Sequence, residues 1–145
     1  MIKKILFPTD FSDHAEKCID YIIKMKDCGI EEVVLLHVTD YRIINETDIM
    51  FEEAIDETQV IAECKTAAEK NLKKIADRLN KEGIKTKSLI RVGSPFAGII
   101  KAEKEMDVSM IIMGHRGRSL TEEILLGSTA EKVTRKSKRP VLLIK

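Results

Sequence analysis

The 145-residue sequence lacks a charge excess, a cysteine framework and a long apolar span, and each absence removes a class of protein. Lys and Arg total 25 against 24 Asp and Glu, a formal net charge of +1, so no polyanion-binding face is indicated and nucleic acid is not expected as a partner. With 43% hydrophobic residues the chain is also too apolar for disorder. The cysteines are only Cys18, Cys28 and Cys64, odd in number and without C-x-x-C spacing, which excludes a disulfide scaffold and a structural zinc site. Reduced and mostly buried thiols are expected. No apolar stretch is long enough to cross a bilayer, and Met1 to Pro8 is too short and too soon broken by proline for a signal peptide. No membrane association and a cytoplasmic location are the expectation. A Walker-type G-x4-G-K-[ST] phosphate loop is missing as well.

What is present is an alternation of short apolar runs with helical patterns, over a length that suits one domain, residues 1–145, built on a single sheet. Lys4 to Thr9 reads as a buried strand ending near Pro8, with Asp10 just beyond it. Ser12 or Asp13 is placed to cap a helix running to Cys28, with Gly29 as its stop. Glu32 to Val38 is apolar nearly throughout, as in a strand covered on both faces. Thr39 to Met50 reads as a loop, and a helical pattern follows from about Asp48 to Lys81, with Glu69 and Lys73 spaced for an ion pair. Lys85 to Val92 alternates and suits a sheet edge. Ser94 and Pro95 open the next helix, and Asp107 to Met113 forms the fourth strand. After a helix from Ser128 to Ser137, Val141 to Ile144 makes a short apolar edge strand, open to pairing with a second copy.

The chemistry concentrates between Met113 and Thr129. Gly114 and Gly117 follow a strand and let the backbone turn and approach a ligand. Gly127 precedes Ser128-Thr129-Ala130-Glu131, which has the S-x-x-E form of a capping box at a helix start. Helix N–H groups and the positive end of the dipole favour phosphate there, and the Ser128 and Thr129 hydroxyls add donors. Ser119 to Leu126 is expected to make a short helical excursion that returns Gly127 to the sheet. Arg116 and Arg118 flank Gly117 with charge suited to phosphates, and His115 is a weaker candidate for the same role. At the end of the first strand Asp10 is placed to accept hydrogen bonds from ribose hydroxyls or an adenine amine.

Gly114, Gly117, Gly127 and Ser128 fit G-x2-G-x9-G-[S/T] without a gap, and on these residues the sequence resembles the ATP-binding universal stress proteins. The resemblance spans essentially the whole chain. It implies an α/β fold, a single open five-stranded parallel sheet in Rossmann-like order 3-2-1-4-5 with helices on both faces. It implies that the backbone of Val38, after His37, reads adenine, with His37 itself structural. Pro8, Thr9 and Asp10 would hold the adenosine end, and Met113, Gly114, His115, Arg116, Gly117, Arg118, Gly127, Ser128 and Thr129 the phosphates. ATP with Mg or Mn is the implied ligand, a homodimer through Val141 to Ile144 the implied assembly, and a stress-response or signalling regulator the implied function. Catalysis beyond slow ATP hydrolysis is not expected, since no base with an orienting partner accompanies the loop. The alternative is a dimerisation or interaction module on the same fold that binds no nucleotide.

Overall fold

A computed structural model describes residues 2–40, 42, 56–115 and 126–145. Five strands form one parallel sheet: β1 (Lys4–Pro8), β2 (Glu32–Asp40), β3 (Lys85–Gly93), β4 (Met110–Gly114) and β5 (Val141–Ile144). Their order is β3-β2-β1-β4-β5, as the resemblance implied. The helices are α1 (Asp13–Lys24), α2 (Glu57–Lys81), α3 (Pro95–Glu105) and α4 (Ser128–Lys136).

Alternation within the central strands builds a core on each face. Ile5, Phe7, Val33 and Leu35 pack beneath Cys18, Ile19 and Ile22 of α1 and Leu72, Ile75 and Leu79 of α2. Leu6, Val34 and Leu36 point the other way, against Ile99 and Ala102 of α3 and Ala130 and Val133 of α4. Each fully buried Leu, Ile or Phe contributes about 1.5–3 kcal/mol, so these two layers carry the fold. β1 and β2 have no water-facing side, whereas five of the nine β3 residues are exposed, consistent with its edge position.

Several boundaries differ from the sequence reading for identifiable reasons. α1 ends at Lys24, and a 3-10 turn, Lys26–Cys28, leads to Gly29 at φ 99°, the left-handed stop that glycine was expected to supply. β2 runs on to Asp40 because β3 continues beside it to Gly93. β4 begins only at Met110, since Asp107 takes φ 48° as the chain leaves α3. α2 starts at Glu57, capped by the Asp56 carboxylate accepting from the Thr58 N–H at 3.0 Å; the expected start at Asp48 lies outside the described residues. Lys73 pairs with Asp77 one turn onward rather than with Glu69.

The capping box at Ser128 is not formed. Gly127 is the N-cap and Ser128 the first helical residue, so Glu131 sits one position too far along to reach back. Glu131 bonds Arg135 instead. Ser12 precedes α1 without a side-chain cap bond, and Asp13 is helical. Nor are the cysteines mostly buried: Cys18 is, Cys64 is half-buried and Cys28 exposed. Burial, with the Asp10 charge adding to it, pushes the Cys18 thiol up to about 12.

No helix among the described residues is long and apolar enough to cross a membrane.

Candidate functional site

The strand order reverses between β1 and β4, and the crevice outside their carboxyl ends is where open α/β sheets bind ligands. A cavity of about 480 Å³ occupies it. Pro8, Thr9 and Asp10 from the end of β1, Val38 from β2, Met113 and Gly114 from β4, and Gly127, Ser128 and Thr129 at the start of α4 all line it. His115 is not on the wall, and Arg116, Gly117, Arg118 and the excursion from Ser119 lie outside the described residues except Leu126.

The turn after β1 is held by its own polar groups. Thr9 Oγ1 accepts from the Phe11 N–H at 3.0 Å, and Asp10 Oδ1 from the Ser12 N–H at 3.0 Å. Phe11 is held at φ 63°, a left-handed conformation costing roughly 1–2 kcal/mol for an L-residue. Its ring stacks on His37 at a centroid distance of 4.6 Å, which offsets that strain. His37 Nδ1 donates to the Thr9 carbonyl at 2.9 Å; a carbonyl oxygen only accepts, so the proton is on Nδ1. His37 thus has the structural role expected of it, bracing the turn that carries Asp10.

Val38 has backbone groups available for recognition. The Leu36 carbonyl accepts from the Thr9 N–H at 2.8 Å, the last bond between β1 and β2. Backbone direction alternates along a strand, so Val38 presents its N–H and C=O on that same side, past the point where β1 has turned away. They face the crevice with no strand among the described residues to pair them.

At the opposite wall, the His115 carbonyl accepts from the Gly127 N–H at 2.7 Å. This bond sets the start of α4 beside the end of the sheet. Gly127 lies at φ −67° and ψ 151°, extended backbone that any residue can adopt, so its place on the wall rather than its dihedrals favours glycine. Gly114 likewise remains in strand β4, paired with Ile144, instead of turning. The N–H groups of Ser128, Thr129 and Ala130 have no acceptor among the described residues, and all three residues line the cavity. Unpaired donors at a helix start, reinforced by the dipole, form a site for an anion.

The sequence reading did not select Asn71, Cys64 and Ala68 of α2, nor Pro95 and Ile99 of α3, which complete the walls. Asp40 lies at the mouth, where the Arg42 guanidinium bonds its carboxylate at 2.7 Å and holds it below the usual carboxylate range. No local motif marks these positions, because folding alone brings α2 and α3 over the ends of the strands.

An open parallel sheet with a crevice at its switch point, walled by helix N–H groups and strand backbone that are unpaired among the described residues, defines an α/β domain with a candidate ligand site. The chain belongs to the universal stress protein family, whose model matches residues 1–145. It is 38% identical to universal stress protein MJ0577 of Methanocaldococcus jannaschii, over all of this chain and 96% of that one. It is 30% identical to universal stress protein YxiE of Bacillus subtilis over the whole of both. A solved structure of MJ0577 superposes with a TM-score of 0.89 at 39% identity, covering 100% and 96% of the two chains. More distantly, a universal stress protein of Archaeoglobus fulgidus solved in complex with dAMP superposes at 0.66 with 23% identity, over the full length of both chains.

Proposed function

We propose that this chain binds ATP in the crevice and acts as a nucleotide-responsive regulator in stress response or signalling. The observation that carries the reading is the convergence of unpaired backbone groups on one cavity. Val38 offers a donor and an acceptor suited to the adenine edge, and Ser128 to Ala130 offer donors suited to phosphate. Asp10, between them, suits a ribose hydroxyl. The dAMP complex of the Archaeoglobus fulgidus relative supports an adenine nucleotide as the ligand class. Mg²⁺ or Mn²⁺ would neutralise phosphate charge. Such a cation takes most of its ligands from phosphate oxygens and water. We assign no catalytic residue and expect at most slow hydrolysis. A homodimer through the free edge of β5 completes the proposal.

Calorimetric titration of nucleotide-free protein with ATP and Mg²⁺ tests it, beside Gly127→Val. The extended backbone at Gly127 admits valine, with an N-cap cost of about 1 kcal/mol at most against glycine. Its side chain would add bulk to the cavity wall beside the Ser128 to Ala130 amides. Wild-type binding with at least a tenfold loss in the variant is expected. Absence of wild-type binding would favour an interaction module without nucleotide.

A further inference from the structure

His115 is the first residue beyond β4, and three hydrogen bonds meet there. Its N–H donates to the Ile144 carbonyl at 3.0 Å, continuing the β4–β5 ladder by one step. Its Nδ1 lies 3.0 Å from the same oxygen and must carry the proton, because a carbonyl has none to give. Its own carbonyl accepts from the Gly127 N–H at 2.7 Å. One residue therefore ties β5 to the start of α4, whose first N–H groups form the anion wall.

His115 does not line the cavity beside which it was expected to act. Its ring is spent on Ile144 and on an edge contact with His14, at 5.3 Å between centroids. A ring so engaged does not address a phosphate with Nδ1. The main-chain bond alone would leave the peptide after His115 free to rock about the ladder. The second donor onto one oxygen pins the residue at two points and fixes the carbonyl that receives Gly127.

We propose that His115 is a positioning residue for the anion wall, acting as a strut from the Ile144 carbonyl through its own backbone to the Gly127 amide. The inference deepens the nucleotide reading and rests on it for its binding arm. Asparagine carries an amide donor two bonds from Cβ, as Nδ1 is, so His115→Asn keeps the strut while His115→Ala loses it. Both lose the contact with His14, and the comparison isolates the donor.

With Mg²⁺ and ATP as the probe, His115→Ala is expected to bind about three- to tenfold more weakly than wild type, the worth of one hydrogen bond. His115→Asn is expected within about twofold of wild type, and the ratio of each variant to wild type is expected to hold across pH 5.5–8, the terminal phosphate of ATP titrating alike in all three titrations. An asparagine variant as weak as alanine would overturn the strut. So would wild-type affinity that rises as pH falls through the histidine range and loses that rise in the alanine variant, which would mark a direct imidazolium contact. Hydrogen exchange of the Gly127 amide in the nucleotide-free proteins supplies an arm independent of ligand. Exchange is expected to quicken in His115→Ala and not in His115→Asn, while amides of β1 keep their rates. Equal Gly127 rates in all three proteins would overturn the proposal. Failure of wild type to bind ATP would sink the nucleotide reading alone, and the exchange rates would still decide the strut.

Discussion

Gly98 of α3 lies directly over Val38. A Cβ built on it would stand 2.7 Å from Val38 Cγ2 and 3.4 Å from Cγ1, too close for the valine to stay where it is. Valine is stiff at χ1, so relief must come from α3 or from the tip of β2, whose backbone faces the crevice. Gly98→Ala would gain about 1 kcal/mol in helix propensity. Overpacking costs about 1–3 kcal/mol, so a net loss of roughly 1 kcal/mol is expected. A lowered urea midpoint at unchanged slope, with weaker ATP binding, would bear this out; a raised midpoint would mean that Val38 gives way freely. The same scale explains why some residues were legible and others were not. Gly29 as a helix stop and Ser94 with Pro95 as a helix start depend on neighbours in sequence, and all three take those places. Gly98 depends on a strand some sixty residues earlier, and nothing beside it in the chain marks it.

At the scale of elements, β5 shows how a parallel ladder divides its backbone between two sides. Ile111 N–H donates to the Pro140 carbonyl at 2.9 Å and His115 N–H to that of Ile144 at 3.0 Å, so Pro140, Leu142 and Ile144 face β4. Val141 and Leu143 then face away from the sheet. If two copies pair through this edge, Leu143→Pro removes an outward donor without touching the β4 ladder. A monomer with native circular dichroism is expected in sedimentation velocity. Leu142→Pro removes an inward donor and is expected to destabilise the fold itself. A Leu143→Pro protein that still sedimented as a dimer would refute pairing through β5. Edge character was readable for β3 from its alternating polar residues. The helix start at Ser128 was readable too, but its N-cap at Gly127 was not, because Ser128 satisfies the local pattern of a cap.

For the whole molecule, binding to the native state alone adds stability by mass action. At a hundredfold excess of free ATP over its Kd the gain is about 2.7 kcal/mol. For a chain of this length that raises the melting temperature by about 5–10 °C. The sequence contains no tryptophan, so calorimetry or circular dichroism is the suitable detector. No shift at saturating ATP and Mg²⁺ would place the ligand elsewhere than on the native fold. The same logic makes the crevice cooperative with the core, since β1, β2 and β4 supply both its floor and the central packing.

The sequence by itself determined the layers. Apolar runs of β1, β2 and β4 can be satisfied only between two helical faces, and the glycine-marked stretch after β4 can be placed only at a strand end. Local chemistry acts over a few residues, and these features are local. Tertiary structure alone decided which backbone groups remain unpaired. Among the described residues Val38 is open because β1 turns away one step earlier, and Ser128 to Ala130 are open because Gly127 supplies no side-chain cap. It likewise set the His115 Nδ1 within 3.0 Å of the Ile144 carbonyl. Hydrogen bonding is a property of pairs, and the bonds that set the turn after β1 and the start of α4 join residues 12 to 29 apart in the chain.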